Sequence, residues 1–261
     1  MTKGLQVGFG SPIGADLLAD LRERGVQMAR LDCQGVQSAD DMAHLTAEVL
    51  AADLCPLLII RPDQAAWWPP GAEIDIEILN EPDLNNTTPM DYATSVQRVC
   101  GTIPAGYRLW AGAISNLDLD SLAWLKASIR YWPESVGVSV HRYPPNGARP
   151  EQAHKGFGSR THEVARLKAM IGARPWGVSE VGYHTGEQST GWWFWRKRWH
   201  WTPDQVAEFM RWEGAFFDAQ GAAFCCAYQI NSGQTDHYLD QFGWRTVDGA
   251  WTPVADIYRA T

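Results

Sequence analysis

The sequence predicts an α/β fold, a single (β/α)₈ TIM barrel over residues 1–261 with a short or irregular third helix, on three observations. Eight apolar segments rich in β-branched or aromatic residues recur along the chain. The segments between most of them carry helical spacing, and no linker, repeat or low-complexity tract divides the chain. Strands that alternate with helices build parallel βαβ units, and strands apolar on both faces belong to a sheet covered on both sides. Eight such units suit a closed barrel, and 261 residues is an ordinary length for one. A doubly wound open sheet is the alternative reading of the same alternation.

The predicted strands run from Leu5 to Phe9, Val26 to Leu31, Pro56 to Ile60, Ile74 to Leu79, Arg108 to Ile114, Val136 to Val140, Trp176 to Val181 and Ala223 to Ile230. Met42, Leu45, Val49 and Leu50 repeat at helical spacing after a start signal at Ser38 and Asp41. Val206, Phe209, Met210 and Phe216 do the same, entered through Thr202, Pro203 and Gln205 and closed by Gly221. After Ile60 the run Trp67, Trp68, Pro69, Pro70 leaves room only for a short third helix.

A net charge of −8 disfavours nucleic acid as a partner, because binding phosphates requires a basic face. The five cysteines, Cys33, Cys55, Cys100, Cys225 and Cys226, form no C-x-x-C pair and read as buried thiols. Met-Thr-Lys-Gly leads straight into an apolar strand, so no secretion signal is visible; a soluble protein is expected, extracellular if a signal was removed, and the location stays open. No apolar run reaches the roughly 20 residues of a membrane span. A monomer without cofactor or metal, acting on an uncharged or weakly charged partner, is expected.

Barrel chemistry sits at the C-terminal ends of the strands. The fourth strand ends Ile78-Leu79-Asn80-Glu81-Pro82-Asp83 and the seventh ends Val178-Ser179-Glu180-Val181-Gly182. Pro82 disfavours helical geometry at Glu81, so this carboxylate is expected on extended backbone at the rim. Two carboxyl groups facing each other across the mouth are what glycosidic cleavage needs, about 5 to 5.5 Å apart in a retaining mechanism. Ion pairing at the rim is the bland account of the same two residues.

These strand ends resemble those of the retaining barrel glycosidases of clan A, which include cellulases, mannanases, xylosidases and β-1,3-glucanases. In that clan an Asn-Glu pair closing the fourth strand carries the acid/base, which maps to Asn80-Glu81. A glutamate closing the seventh strand is the nucleophile, which maps to Glu180. An arginine of the second strand bonds that nucleophile and a His-x-Tyr closes the sixth, matched by Arg30 and by His141-Arg142-Tyr143. Asn80-Glu81-Pro82-Asp83-Leu84 followed by Thr88-Pro89 is similar to the small β-1,3-glucanase members. The resemblance implies an endo-acting, retaining O-glycosyl hydrolase that degrades a polysaccharide or oligosaccharide. A departure stands on the eighth strand, where many members place a tryptophan under the sugar and this chain has Tyr228-Gln229.

Each residue also has a physical role. Arg30 can hold Glu180 ionised through charge-assisted hydrogen bonds. Tyr143 can donate to the nucleophile, His141 can bond Glu81 or a sugar hydroxyl, and Asn80 can bind the 2-hydroxyl. Ordinary packing and rim ion pairs explain the same side chains without catalysis. Two rivals remain: a metal-dependent sugar isomerase using Asp32, Glu81, His141 and Glu180 as ligands, and a non-catalytic carbohydrate-binding barrel. The five lysines avoid every strand end, which disfavours Schiff-base chemistry.

The segment from Gly191 to Trp201 holds five tryptophans and follows the seventh strand, so it should overhang the site. Trp192, Trp193 and Trp195 are expected as sugar-stacking platforms, alongside Tyr228 and Gln229 as substrate contacts. A hydrophobic lid and an interfacial membrane contact are the other readings.

Overall fold

A computed structural model describes residues 1–8, 13–67, 74–104, 106–144, 147–153, 158–190, 197–230, 242–246 and 249–259, with backbone alone for 8, 186–190 and 197–198. Along the chain come β1 (Thr2–Gly8), α1 (Ala15–Glu23), β2 (Met28–Asp32), α2 (Ala39–Ala51), β3 (Cys55–Ile60) and a 3₁₀ turn (Pro62–Ala66). Then follow β4 (Asp75–Ile78), α3 (Pro89–Thr102), β5 (Arg108–Ile114), α4 (Leu119–Ile129), β6 (Gly137–Arg142), α5 (Arg160–Ile171) and β7 (Trp176–Val181). A hairpin of β8 (Gly186–Thr190) and β9 (Lys197–Trp201) precedes α6 (Pro203–Ala219), β10 (Phe224–Ala227) and a last 3₁₀ turn (Pro253–Asp256). β1 to β7 and β10 form a closed barrel in which every neighbouring pair is parallel. β1 pairs with both β2 and β10, which removes the edges an open doubly wound sheet would keep. The antiparallel pairing of β8 with β9 gives the tryptophan-rich segment a strand character that the sequence reading lacked.

Local signals account for the element ends. Ser38 accepts the Asp41 N–H at 3.1 Å and donates its hydroxyl to the Asp41 carboxylate at 2.6 Å, which starts α2. Thr202 and Gln205 exchange side-chain-to-backbone bonds in a capping box at α6, with Pro203 in its first turn. Between β3 and β4 the described residues form one 3₁₀ turn, where a full helix would otherwise pack. The buried Gln64 fixes it, accepting the Arg61 N–H and donating to the carbonyls of Cys33 and Val36.

Two apolar layers result. The larger lies between sheet and helices; the smaller, Met28, Leu57, Trp110, Phe224 and Cys226, fills the barrel at the N-terminal ends of the strands. Trp110 and Phe224 meet edge-on with centroids 4.8 Å apart. They fit because β6 and β7 present glycines: a Cβ at Gly137 would stand 2.4 Å from the indole, and one at Gly177 would stand 2.5 Å from the phenyl ring. This aromatic plug closes one end of the barrel and leaves the other for polar groups. All five cysteines are free, but Cys55 and Cys100 are only half-buried, against the expectation of five buried thiols. Burial, with a carboxylate beside each, pushes Cys33 and Cys55 up to about 12, so both stay protonated.

Candidate active site

Arg30 points into the barrel from the middle of β2 and is fully buried. A charge in that position must be paired, and its planar fork of donors is fully used. It donates to Glu77 Oε2 at 2.7 Å, Gln6 Oε1 at 2.7 Å, Asn80 Oδ1 at 2.7 Å and Glu180 Oε1 at 2.5 Å. Burial pulls the guanidinium pKa down, but Glu77 and Glu180 outweigh it and raise it above the ordinary value. Glu77 and Gln6, which the sequence reading passed over, complete the set. Their signal was a polar residue at every second position of otherwise apolar strands, Asp75-Ile76-Glu77-Ile78 and Leu5-Gln6-Val7.

Simple alternation along β7 would put Ser179 inside and Glu180 outside. The register shows why it does not: Val140 pairs with Val178, but the next residue, His141, pairs with Glu180. Ser179 is therefore the extra residue of a bulge that re-aims Glu180 into the mouth. There Glu180 takes the Arg30 bond on Oε1 and a hydroxyl bond from Tyr143 on Oε2. Burial, then the Glu180 charge, holds the Tyr143 phenol well above its ordinary pKa, so it remains a donor.

Glu81 corrects one expectation. Its backbone is not extended but left-handed, with φ at 45°, and Leu79 precedes it at 60°. Pro82 disfavours the right-handed region as argued. The left-handed alternative is held by the Glu81 N–H donating to Ala113 O of β5 at 3.1 Å, and by Leu84 N and Asn85 Nδ2 donating to its carbonyl, each at 3.0 Å. Such over-determination is what lets a non-glycine residue keep a strained conformation. The carboxyl group then lies 3.0 Å from His141 Nδ1, which is also 3.6 Å from Glu180 Oε2. One ligating atom from each of Glu81, His141 and Glu180 falls within 4.8 Å of the others. The two carboxylates differ in cover: the Glu180 side chain is 7% exposed and that of Glu81 is 28% exposed.

Behind β6 a buried ionic chain fixes this edge of the site. Arg142 pairs with Glu163 at 2.8 Å, Glu163 with Arg160 at 2.8 Å, and Arg160 with Glu213 at 2.5 Å. Tyr183 donates to Glu213 at 2.7 Å. Arg142 also donates to the carbonyl of Tyr143, as Asn116 does at 3.0 Å. The residue whose hydroxyl meets Glu180 is thereby tied to α5 and α6.

The cleft above these groups has a volume of about 580 Å³ and is lined by Gln6, Arg30, Asp32, Asn80, Glu81, Tyr143, Glu180, His184, Trp199, Trp201, Tyr228 and Phe242 among others. Tyr228 meets Tyr143 and Phe242 edge-on, with centroids 5.9 and 5.6 Å away. Gln229, expected as a substrate contact, is not among the lining residues; its carbonyl accepts the Trp244 N–H. Trp192, Trp193 and Trp195 lie outside the described residues. From the same segment, Trp199 and Trp201 line the cleft instead.

Burial lowers the His141 pKa, but the Glu180 charge and the Glu81 hydrogen bond outweigh it, with Arg30 opposing them, and the net shift is upward. The imidazolium should therefore persist above the ordinary histidine range of about 6.5. Removing one negative neighbour, in Glu81→Gln or Glu180→Gln, should lower the midpoint seen by ¹⁵N-resolved NMR. An unmoved midpoint in both variants would disconnect His141 from the two carboxylates.

No family model matches the chain, and no curated protein is significantly similar to it. Solved structures do match. A family 5 subfamily 4 broad-specificity endoglucanase from Clostridium acetobutylicum superposes with a TM-score of 0.69 at 11% identity, covering 99% of this chain and 96% of its own. Thermotoga maritima Cel5A, solved with mannotriose, gives 0.67 at 13% identity over 98% and 97% of the two chains. A family 39 glycoside hydrolase from Bacteroides cellulosilyticus WH2 gives 0.68 at 14% identity over 98% of this chain; the chain spans 63% of its length. The fold of this chain is the closed parallel barrel of family 5 and family 39 glycoside hydrolases.

Proposed function

We propose that this protein is a retaining glycoside hydrolase that cleaves β-linked oligosaccharides or polysaccharides, with Glu180 as nucleophile and Glu81 as general acid/base. The observation that carries the reading is the contrast between two adjacent carboxylates. Glu180 has a donor on each oxygen, Arg30 and Tyr143, which suits an anion aimed at one reacting carbon. Glu81 is more open and, among the described residues, its carboxylate meets His141 alone, which suits a group that must give a proton to the leaving oxygen and later take one from water. Their approach within 4.8 Å supports the short separation of retaining enzymes over the longer one that leaves room for water.

In the first step Glu180 bonds to the anomeric carbon as the glycosidic C–O bond breaks and Glu81 protonates the departing oxygen. In the second, Glu81 takes a proton from water, whose oxygen displaces Glu180. Asn80, whose Oδ1 accepts from Arg30, keeps its amide N–H groups to donate to the sugar's 2-hydroxyl. The isomerase reading is disfavoured by the donor set: the Arg30 guanidinium already occupies Glu180, and a cationic His141 would repel a divalent ion.

Tetrasaccharides of β-1,3-glucan, β-1,4-glucan, mannan and xylan test the proposal. The first product resolved by anomeric NMR should be the β anomer, and activity should survive a chelator. An α product would sink the retaining assignment, and chelator loss would revive the metal site.

A further inference from the structure

Two buried nitrogens near the cleft, His184 Nδ1 and Trp199 Nε1, have no hydrogen-bond partner among the described residues. His184 follows β7 and Trp199 belongs to β9; both line the cleft that holds Glu180. Their rings lie 6.5 Å apart, a separation that one pyranose ring with its hydroxyls can bridge. The indole has a tight seat. Gly147 faces it in a left-handed conformation, φ 68°, and a Cβ there would stand 2.9 Å from Trp199 Cδ2. The imidazole is held edge-on against Phe242, with centroids 5.6 Å apart.

The chemistry of the two groups selects their ligand. An indole N–H only donates, so it needs an acceptor. Burial lowers the His184 pKa, although the carbonyls of Thr185 and His184 partly offset it, so the ring is neutral near pH 7 and either donates or accepts. A hydroxyl meets both requirements. Charged sugars do not suit this wall: among the described lining residues the carboxylates are Asp32, Glu81 and Glu180, and the guanidinium of Arg30 is already shared by four acceptors. Among the described residues, a uronate or sulfate would enter an acidic cleft without a free cation.

We propose that His184 and Trp199 form a hydroxyl-recognition subsite for an uncharged pyranosyl unit flanking the scissile bond, so that the natural substrate is a neutral glycan. This deepens the glycosidase reading and rests on it for the position of the bond.

The test is calorimetric titration of full-length Glu180→Gln, which stops turnover, with cellotetraose, mannotetraose, laminaritetraose, xylotetraose and β-1,4-linked tetramannuronate. Trp199→Phe and His184→Phe are then added singly, since each keeps a ring for packing and loses the nitrogen. At least one neutral tetrasaccharide should bind, tetramannuronate should not, and each added change should weaken the neutral ligand about tenfold. Melting curves of the variants should coincide, which separates lost recognition from lost folding. The proposal is overturned if no neutral tetrasaccharide binds, if tetramannuronate binds as well as the best of them, or if neither change weakens binding. If the wild-type chain hydrolyses none of the neutral ligands yet binding falls in both variants, the hydrolase reading fails and the subsite stands.

Discussion

Glu180→Gln should lower turnover on β-glycosides by roughly six orders of magnitude, the scale seen when a nucleophile is removed from an otherwise intact site. The amide keeps the shape but not the charge. It also offers an N–H where Arg30 and Tyr143 each present a donor, so the side chain is neither nucleophilic nor well seated. Glu81→Gln should behave differently. An aryl glycoside with a good leaving group needs no proton, so the first step survives and the glycosyl-enzyme accumulates, visible as a mass increment on the intact protein. Oligosaccharides, whose leaving oxygen must be protonated, should lose the first step as well. Equal losses on both substrates would mean that Glu81 is not the acid.

Arg30→Met should cost both activity and stability. The wild-type guanidinium neutralises two buried carboxylates at once, Glu77 at 2.6 Å and Glu180 at 2.5 Å. Removing one member of a buried ion pair leaves the other charge dry and costs about 3–5 kcal/mol, which urea unfolding can read. The double variant Arg30→Met/Glu77→Leu tests the cause, because it also removes the stranded carboxylate. It should regain part of the stability and none of the turnover, since Glu180 and Asn80 remain without their common partner. A double variant no more stable than the single one would show that lost packing, not the unpaired charge, sets the cost.

The barrel was legible because each βα unit is a local pattern: an apolar run, a cap such as Ser38 or Thr202, and a helical repeat. Of the candidate site residues, Glu81 and Glu180 stood out as carboxylates closing predicted strands, while Arg30, Asn80, His141 and Tyr143 became candidates only through the resemblance to the clan A barrels. What escaped depends on register and on contacts distant in sequence. No residue-by-residue pattern announces the bulge at Ser179, yet without it Glu180 would face the helices. Pro82 excludes one backbone region for Glu81 and leaves two others open; the Ala113 carbonyl of the next strand decides between them. His184 and Phe242 were silent because their neighbours in space are far apart in sequence or, like Trp199, belong to a hairpin whose folding back was not foreseen.

The ionic chain of Arg142, Glu163, Arg160 and Glu213 constrains how this lineage can change. Each inner charge answers to two others, so a substitution at any one position strands its partners in a dry interior. An apolar set of equal volume could fill the same space without penalty, but no single replacement leads there, because every state that keeps one or three of the four groups carries an unmatched charge. The chain therefore acts as an evolutionary ratchet, easy to retain and hard to leave one step at a time. Through Arg142, which donates to the Tyr143 carbonyl, the same chain holds in place the residue whose hydroxyl meets Glu180.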